Sequence, residues 1–206
     1  MAGAFPISNS AFETLGIKSL QNTILTKSIN GKKLSRQVDN QRFGFTARII
    51  TAKRSDVYGE LMAFIMKQRS SKENFTIIPP EVKSTRGSET QVVSVNGSHT
   101  AGDNTIAMDG FGADGAGRFK AGDLIKFASH TKIYMIVEDV TSSSNASTVT
   151  IEPPLINALA DDEVVTYNNV PFTVHLTNDI QEFGAVGADK DGNLLYEFEL
   201  DVEEAI

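Results

Sequence analysis

The chain contains two kinds of β-strand sequence, and their order limits the folds that it can adopt. Residues 41–50 and 194–202 alternate apolar and polar side chains with a period of two, which predicts long strands with one buried face. From about residue 86 to residue 167, short strand-like runs are separated by Gly-Asp and Gly-Ala turns. That spacing is typical of a small closed barrel of the OB or SH3-like kind. The order therefore predicts a mainly β fold.

The position of the turn-rich middle segment predicts the domain organisation. We expect residues 1–86 plus 168–206 to form one core domain and residues 87–167 to form an inserted barrel, since insertion between nearby strand ends is a common arrangement. In the core, predicted strands 17–29 and 41–50 flank the turn signal Asn30-Gly31. Further predicted elements are a long hairpin of 171–177 and 194–202 around the Gly-rich stretch 184–192, a barrel hairpin of 124–127 and 132–138, and a barrel strand 148–152.

One helix is predicted, over residues 55–70. Ser55 is a candidate cap, and Asp56 and Glu60 lie near the positive N-terminal end of the predicted helix. Apolar residues recur at helical spacing and predict a stripe that faces the core. The stripe consists of Val57, Tyr58, Leu61, Phe64 and Ile65.

Charge is distributed unevenly along the chain. Residues 1–86 carry 14 Lys and Arg against 6 Asp and Glu, whereas residues 87–206 carry 5 against 20. Unlike charges on two faces suit self-association, which favours an assembly component.

The last predicted strand has one wholly acidic face, which is the candidate lumen or subunit-interface site. Its residues are Glu197, Glu199, Asp201 and Glu203. Cationic neighbours would stabilise such a face, and the polar face that carries Arg42 and Arg48 is the candidate partner. Two interpretations stay open, namely a solvated or ion-paired surface and the lining of a negatively charged channel.

No constellation in the sequence supports catalysis, so we expect no enzyme, no cofactor and no metal site. There is no cysteine. The GxGxxG match at 110–115 is not followed by a helix, and the Asp-rich run 189–193 lacks calcium-loop spacing. His99, His130 and His175 lie in different predicted elements. We also expect no signal peptide and no membrane span.

Two sets of segments carry a resemblance to a known family. One set is GRFKAGDLIKFASHTKIYMIVEDV (117–140), TVTIEPPL (148–155) and VVTYNNVPFTVHLTNDIQEF (164–183). The other is FPISNSAFETLGIKSL (5–20), the RFGFTARI strand and NFTIIPPE (74–81). Their order resembles distal tail proteins of long-tailed bacteriophages, in the short form with an inserted OB-like domain.

The resemblance implies a fold and a function. The fold is a tail-tube-like β-sandwich with one flanking helix, into which a small OB-like β-barrel is inserted. The function is structural: a virion protein, made in the host bacterial cytoplasm, forms a ring of six subunits at the distal end of the tail. The ring joins the tail tube protein to the baseplate or tip hub protein and leaves a channel for DNA, which passes without specific binding.

Two alternatives stay open. One is another tail, neck or baseplate structural protein with a tube-like fold. The other is a glycan-binding module of the tail tip, for which solvent-exposed aromatic side chains on the barrel would be required. The candidates are Phe111, Phe119 and Tyr134.

Overall fold

The structure is a computed structural model that describes residues 3–7, 11–38 and 40–206. The remaining residues of the predicted core domain, 1, 2, 8–10 and 39, lie outside the described residues. The fold is mainly β, with one α-helix in the described part, α1 (Gly59–Gln68). The strands are β1 (Phe12–Leu20), β2 (Thr23–Lys27), β3 (Lys33–Gln37), β4 (Arg42–Lys53), β5 (Phe75–Ile77), β6 (Val93–Val95), β7 (Thr105–Asp109), β8 (Gly115–Ala116), β9 (Leu124–Phe127), β10 (Tyr134–Ile136), β11 (Thr141–Ser142), β12 (Ala146–Glu152), β13 (Val164–Thr166), β14 (Phe172–Leu176), β15 (Gly184–Ala188) and β16 (Leu194–Glu204).

The long strands form one antiparallel sheet in the order β1-β4-β16-β14-β5, with β15 paired to the first half of β16. The strands β4 and β16 lie in the middle, as expected from their alternating patterns. Their apolar residues are buried, and α1 packs over them through Leu61 and Ile65, together with Tyr58 of the turn before it. Val57 and Phe64 of the predicted stripe are partly buried against the same cluster.

The helix lies where it was predicted, but its beginning differs. Residues Arg54–Tyr58 form a π-helical turn before α1, and no side-chain cap is present at Lys53. Ser55, the predicted cap, hydrogen-bonds instead to the Asp56 carboxylate, at 3.0 Å between Oγ and Oδ1. The predicted capping role of Ser55 was therefore wrong, because the wider π turn begins before it.

The short strands of the middle segment close into a six-stranded barrel, in the order β10-β12-β7-β6-β13-β9. The predicted hairpin of β9 and β10 closes it, since Tyr134 pairs with Ile125. The barrel has its own buried apolar cluster, separate from that of the sheet. The mainly β class, the one helix and the small closed barrel are confirmed.

Two predicted strand arrangements were wrong. The run 17–29 is divided between β1 and β2, and β2 turns through Ser28–Lys32 into β3, which was missed because its Lys- and Arg-rich sequence lacks an apolar period. Near the C-terminus, β14 does pair with β16, but 184–188 forms β15. The turn is therefore confined to Asp189–Asn193, where the Asp189 amide donates to the Asn193 carbonyl at 2.9 Å.

The two connections between sheet and barrel lie side by side. The Thr85 amide donates to the Asn168 side chain at 2.9 Å, and the Asn169 amide donates to the Lys83 carbonyl at 2.6 Å. This geometry suits an inserted unit, because the sheet can continue across a small gap. The exact division at 86/87 and 167/168 stays a prediction.

Candidate assembly surfaces

The acidic face of β16 lies beside the cationic side chains that were predicted as its neighbours. The guanidinium of Arg42 contacts Glu203 at 2.6 Å, and that of Arg48 pairs with Glu197. Arg48 also contacts Glu13 of β1, with 3.2 Å between Nε and Oε2. The hydrogen bond from Arg48 to Glu197 and the surrounding carboxylates raise the pKa of Arg48. The proximity is confirmed, while the role of this face as lumen or subunit interface stays a prediction.

Asp201 is the most completely satisfied acid of this face. It accepts hydrogen bonds from Lys18 at 3.0 Å, from Thr46 at 2.9 Å and from Thr177 at 2.9 Å. Partial burial acts to raise the pKa of Asp201, but these donors outweigh it and hold the pKa below its ordinary value of 3.8. Most of the acidic face is therefore neutralised within the chain.

An open cleft of about 740 Å³ lies along this face. One wall is formed by residues 197–201 of β16, and the other includes the loop 178–182. The lining also contains the cations Lys18 and Arg48, which pair with Asp201 and Glu197. The Ile180 side chain in this loop is 85% exposed. Glu182 and Glu199 are also exposed, and among the described residues neither has a cation within ion-pair distance. The cleft thus offers two exposed carboxylates outside its internal ion pairs, although Arg48 lies opposite Glu199 in the strand register.

The hairpin of β2 and β3 is a long, highly exposed element of the described chain. Every residue of both strands is exposed to solvent. Residues 23–38 contain four cations and no carboxylate. Large apolar side chains are exposed on and beside the hairpin, namely Ile24, Leu25, Ile29, Leu34 and Val38. An isolated two-stranded hairpin is marginally stable in water, so this element indicates a missing partner.

A buried ionic network joins the barrel to the sheet. Lys132, in the turn between β9 and β10, contacts the Glu204 carboxylate at 2.5 Å and the Gln41 amide oxygen at 3.1 Å. Glu204 also accepts the amides of Ile133 at 2.7 Å and Phe43 at 3.0 Å. Both charged side chains are fully buried. Burial lowers the pKa of Lys132, and Glu204 opposes that effect.

The sequence prediction missed Glu204, although a signal for it exists. The apolar face of β16 runs through Phe198, Leu200 and Val202, and the next residue in that period is Glu204. An acid at a core position needs a partner, because an unpaired buried charge is costly. Lys132 supplies that partner from a segment 72 residues away in the chain.

The aromatic candidates for glycan binding lie inside the barrel. Phe111, Phe119 and Tyr134 are at most 1% exposed and belong to the barrel cluster. They therefore do not offer a stacking surface for a sugar ring.

The two motifs that lack the sequence context of a nucleotide or calcium site have internal hydrogen-bond partners. The Gly112 amide of the GxGxxG segment donates to the Glu89 carboxylate at 3.3 Å. Asp189 accepts the amides of Asp191 and Asn193, both at 2.9 Å, and pairs with Lys53. In the described part of the chain, no group of His, Asp or Glu residues is arranged to hold a metal ion. No described helix has the length and apolar character needed to cross a bilayer.

Comparison with known proteins identifies the middle segment. Residues 81–170 match the family model described as the B domain of the distal tail protein pb9. The matched segment contains the six strands of the closed barrel and the separate pair of β8 and β11. No curated protein matches the chain.

Proposed function

We propose that six copies of this chain form a ring at the distal end of a phage tail. The proposal rests on the match of residues 81–170 to the B domain of the distal tail protein pb9, which supports a phage tail structural protein. The ring joins the tail tube to the baseplate or tip hub, and DNA passes through its central channel without specific binding. The chain is made in the host bacterial cytoplasm and incorporated into the virion.

The family match carries this proposal, and the exposed hairpin supports it. Five large apolar side chains are exposed on and beside this hairpin, which indicates a surface that is buried on assembly. The charge distribution supports the same interpretation, since the hairpin is cationic and the C-terminal part of the chain is acidic.

The acidic face of β16 fits either the channel wall or the seam between subunits. A channel for DNA benefits from carboxylates, because attraction to phosphate would slow transit. Reversing all four acids would also break the intrachain pairs with Arg42, Arg48 and Lys18. Glu199→Lys is the cleaner probe, since Glu199 has no ion pair to lose among the described residues.

The first experiment is the mass of the purified chain by light scattering, with negative-stain images of the same sample. We expect a species near six times 22.3 kDa, seen as a ring with a central hole. Open filaments or rings of another size would contradict the six-fold closure. Immunogold labelling of virions would separate a distal position from the neck or tube, where the alternative structural roles lie.

Glycan binding by the barrel is not supported by the position of its aromatic side chains. Phe111, Phe119 and Tyr134 are all buried. A glycan-array measurement on the full chain checks this conclusion directly. We expect no retention above background. A specific sugar bound by the barrel would require a polar site elsewhere on its surface.

A further inference from the structure

We propose that the β2–β3 hairpin of one copy docks into the acidic cleft of the next copy, between the loop 178–182 and the β16 segment Glu197–Asp201. This inference rests on the proposed ring, because it names the two surfaces that meet at each subunit contact. The hairpin and the cleft are different surfaces, so the contact is head-to-tail. Contacts of that kind generate a closed ring when the rotation between copies closes.

The register of the hairpin shows what its partner must supply. Lys27 lies directly opposite Lys33, and like charges at paired positions destabilise a hairpin. On the other face, Ile24 pairs with Arg36 and Thr26 pairs with Leu34. A partner of the Lys27–Lys33 face must therefore supply carboxylates. A partner of the opposite face must supply an apolar surface for Ile24 and Leu34 and an acid for Arg36.

The cleft supplies both of these features. Glu182 and Glu199 are exposed carboxylates without an ion pair in the described chain, and Ile180 is an exposed apolar side chain on the loop wall. The two cations of the lining, Lys18 and Arg48, are already paired with Asp201 and Glu197. The lengths also agree, since β2 and the cleft segment of β16 are each five residues long, roughly 17 Å of extended chain.

The occupant is a second copy rather than the same chain or a nucleic acid. None of the side chains that line the cleft belongs to β2 or β3 of the same chain, and both strands are fully exposed. A phosphate backbone would satisfy Lys27 and Lys33, but it would leave Ile24, Leu25 and Leu34 in water. Contact with another copy buries the apolar side chains and pairs the charges together.

The absence of cysteine from the chain allows a direct test of proximity. Ser35→Cys places a thiol on the hairpin, and Gln181→Cys places one in the cleft loop. After the two variants are mixed and mildly oxidised, we expect a disulfide-linked dimer. Thr131→Cys, on an exposed barrel turn, is the control partner for Ser35→Cys and should give no cross-link above background.

A charge exchange tests the energetics of the same contact. The pair Lys27→Glu and Lys33→Glu should weaken assembly by about tenfold or more, because carboxylates would then face carboxylates. Glu182→Lys and Glu199→Lys should weaken it similarly. A mixture of the two double variants should assemble again, since every contact in an alternating ring then joins unlike charges. Lys67→Glu with Lys72→Glu makes the same change in net charge at exposed sites near the end of the helix and should assemble normally.

Each outcome decides the proposal. A cross-link that is specific to the cleft, together with rescue by mixing, supports it. Rings that form without the cross-link and without rescue overturn the docking, while the proposed ring function survives. A wild-type chain that remains monomeric and uncross-linked at every concentration overturns both. Binding of duplex DNA that is lost in the Lys27→Glu, Lys33→Glu variant, without any cross-link, assigns the hairpin to nucleic acid and overturns the docking.

Discussion

Glu204 and Lys132 show how a single residue position can couple two parts of the molecule. Their side chains are fully buried, and the carboxylate also accepts two backbone amides, one on each side of the junction. The ammonium of Lys132 lies 4.7 Å from the centroid of the Phe43 ring. A buried pair of this kind contributes little compared with an apolar replacement of both partners, but the loss of one partner is costly.

We predict that Lys132→Met lowers the free energy of unfolding by about 3–5 kcal/mol, because Glu204 then remains buried without a counter-charge. Urea denaturation at neutral pH measures this change. Lys190→Met, at an exposed position in the last turn, is the matched control and should stay within about 0.5 kcal/mol of wild type. Equal stability of the two variants would show that the junction does not depend on the ion pair.

Asp201 makes the acidic face sensitive to pH. Its pKa is lower in the folded chain than its ordinary value of 3.8, so the unfolded chain binds more protons in that range. The stabilisation is therefore present above pH ~4 and is lost as the pH falls toward the folded pKa.

We predict that Asp201→Asn reduces the loss of stability between about pH 6 and about pH 2.5 by up to about 1 kcal/mol, since the site is partly solvent-screened. Urea denaturation at both pH values gives the difference. Asp191→Asn, in the exposed turn before β16, is the control. An unchanged pH dependence in the Asp201 variant would contradict the assignment of this effect to Asp201.

The segment that leads into the barrel is the most tightly built connection between elements. The Arg86 amide donates to Asp123 at 2.7 Å, and the Glu89 amide donates to the Arg118 carbonyl at 3.1 Å. Glu89 also pairs with Arg118 inside the barrel wall. Between these bonds, Gly87 lies so close to the Arg118 backbone that a Cβ atom would come within 2.1 Å of its carbonyl oxygen.

We predict that Gly87→Ala destabilises the chain by about 3 kcal/mol or more, because the clash is with backbone and cannot be relieved by a side-chain rotation. Thermal denaturation measures the effect. Gly184→Ala in β15 is the control, since its Cβ would meet nothing within 4 Å. A Gly87 variant as stable as this control would mean that the connection can shift without cost.

In the whole molecule, the barrel and the sheet have separate apolar clusters, which meet at one junction. Leu124 and Ile133 of the barrel segment are buried in the cluster of the sheet, beside the Lys132–Glu204 pair. No residue of the sheet belongs to the apolar cluster of the barrel, since all the buried members of that cluster lie between Val93 and Tyr167. The barrel therefore depends less on the sheet than the sheet depends on the barrel.

We predict that fragment 81–170 unfolds cooperatively on its own, whereas a chain with a short Gly-Ser linker in place of 87–167 is destabilised. The linker can span the gap because Thr85 and Asn168 are hydrogen-bonded. Adding Glu204→Gln to the linker chain should restore part of the lost stability, because it removes the unpaired buried charge. A fragment without a cooperative transition would contradict the independence of the barrel.

The fold class, the helix and the closed barrel could be predicted from the sequence, because each depends on local periodicity or turn residues. The resemblance to distal tail proteins could also be predicted, and the match over residues 81–170 supports it. Both the alternation in β16 and the turns between the short barrel strands are local patterns. They can be recognised without knowing which distant segments pair with them. Arg42 and Arg48 were also identified as neighbours of the acidic face, since directly paired strands bring complementary faces together.

Which charges are paired and which surfaces are left exposed depends on contacts between distant segments, so neither could be predicted from the sequence. The pairing of Lys18 with Asp201 and of Lys132 with Glu204 joins segments that are 183 and 72 residues apart, and no local pattern encodes such contacts. The β3 strand of the exposed hairpin was missed for a different reason. The strands of this hairpin follow no apolar period, because neither face packs against the described chain, and an element without an interior has no pattern of burial in its sequence.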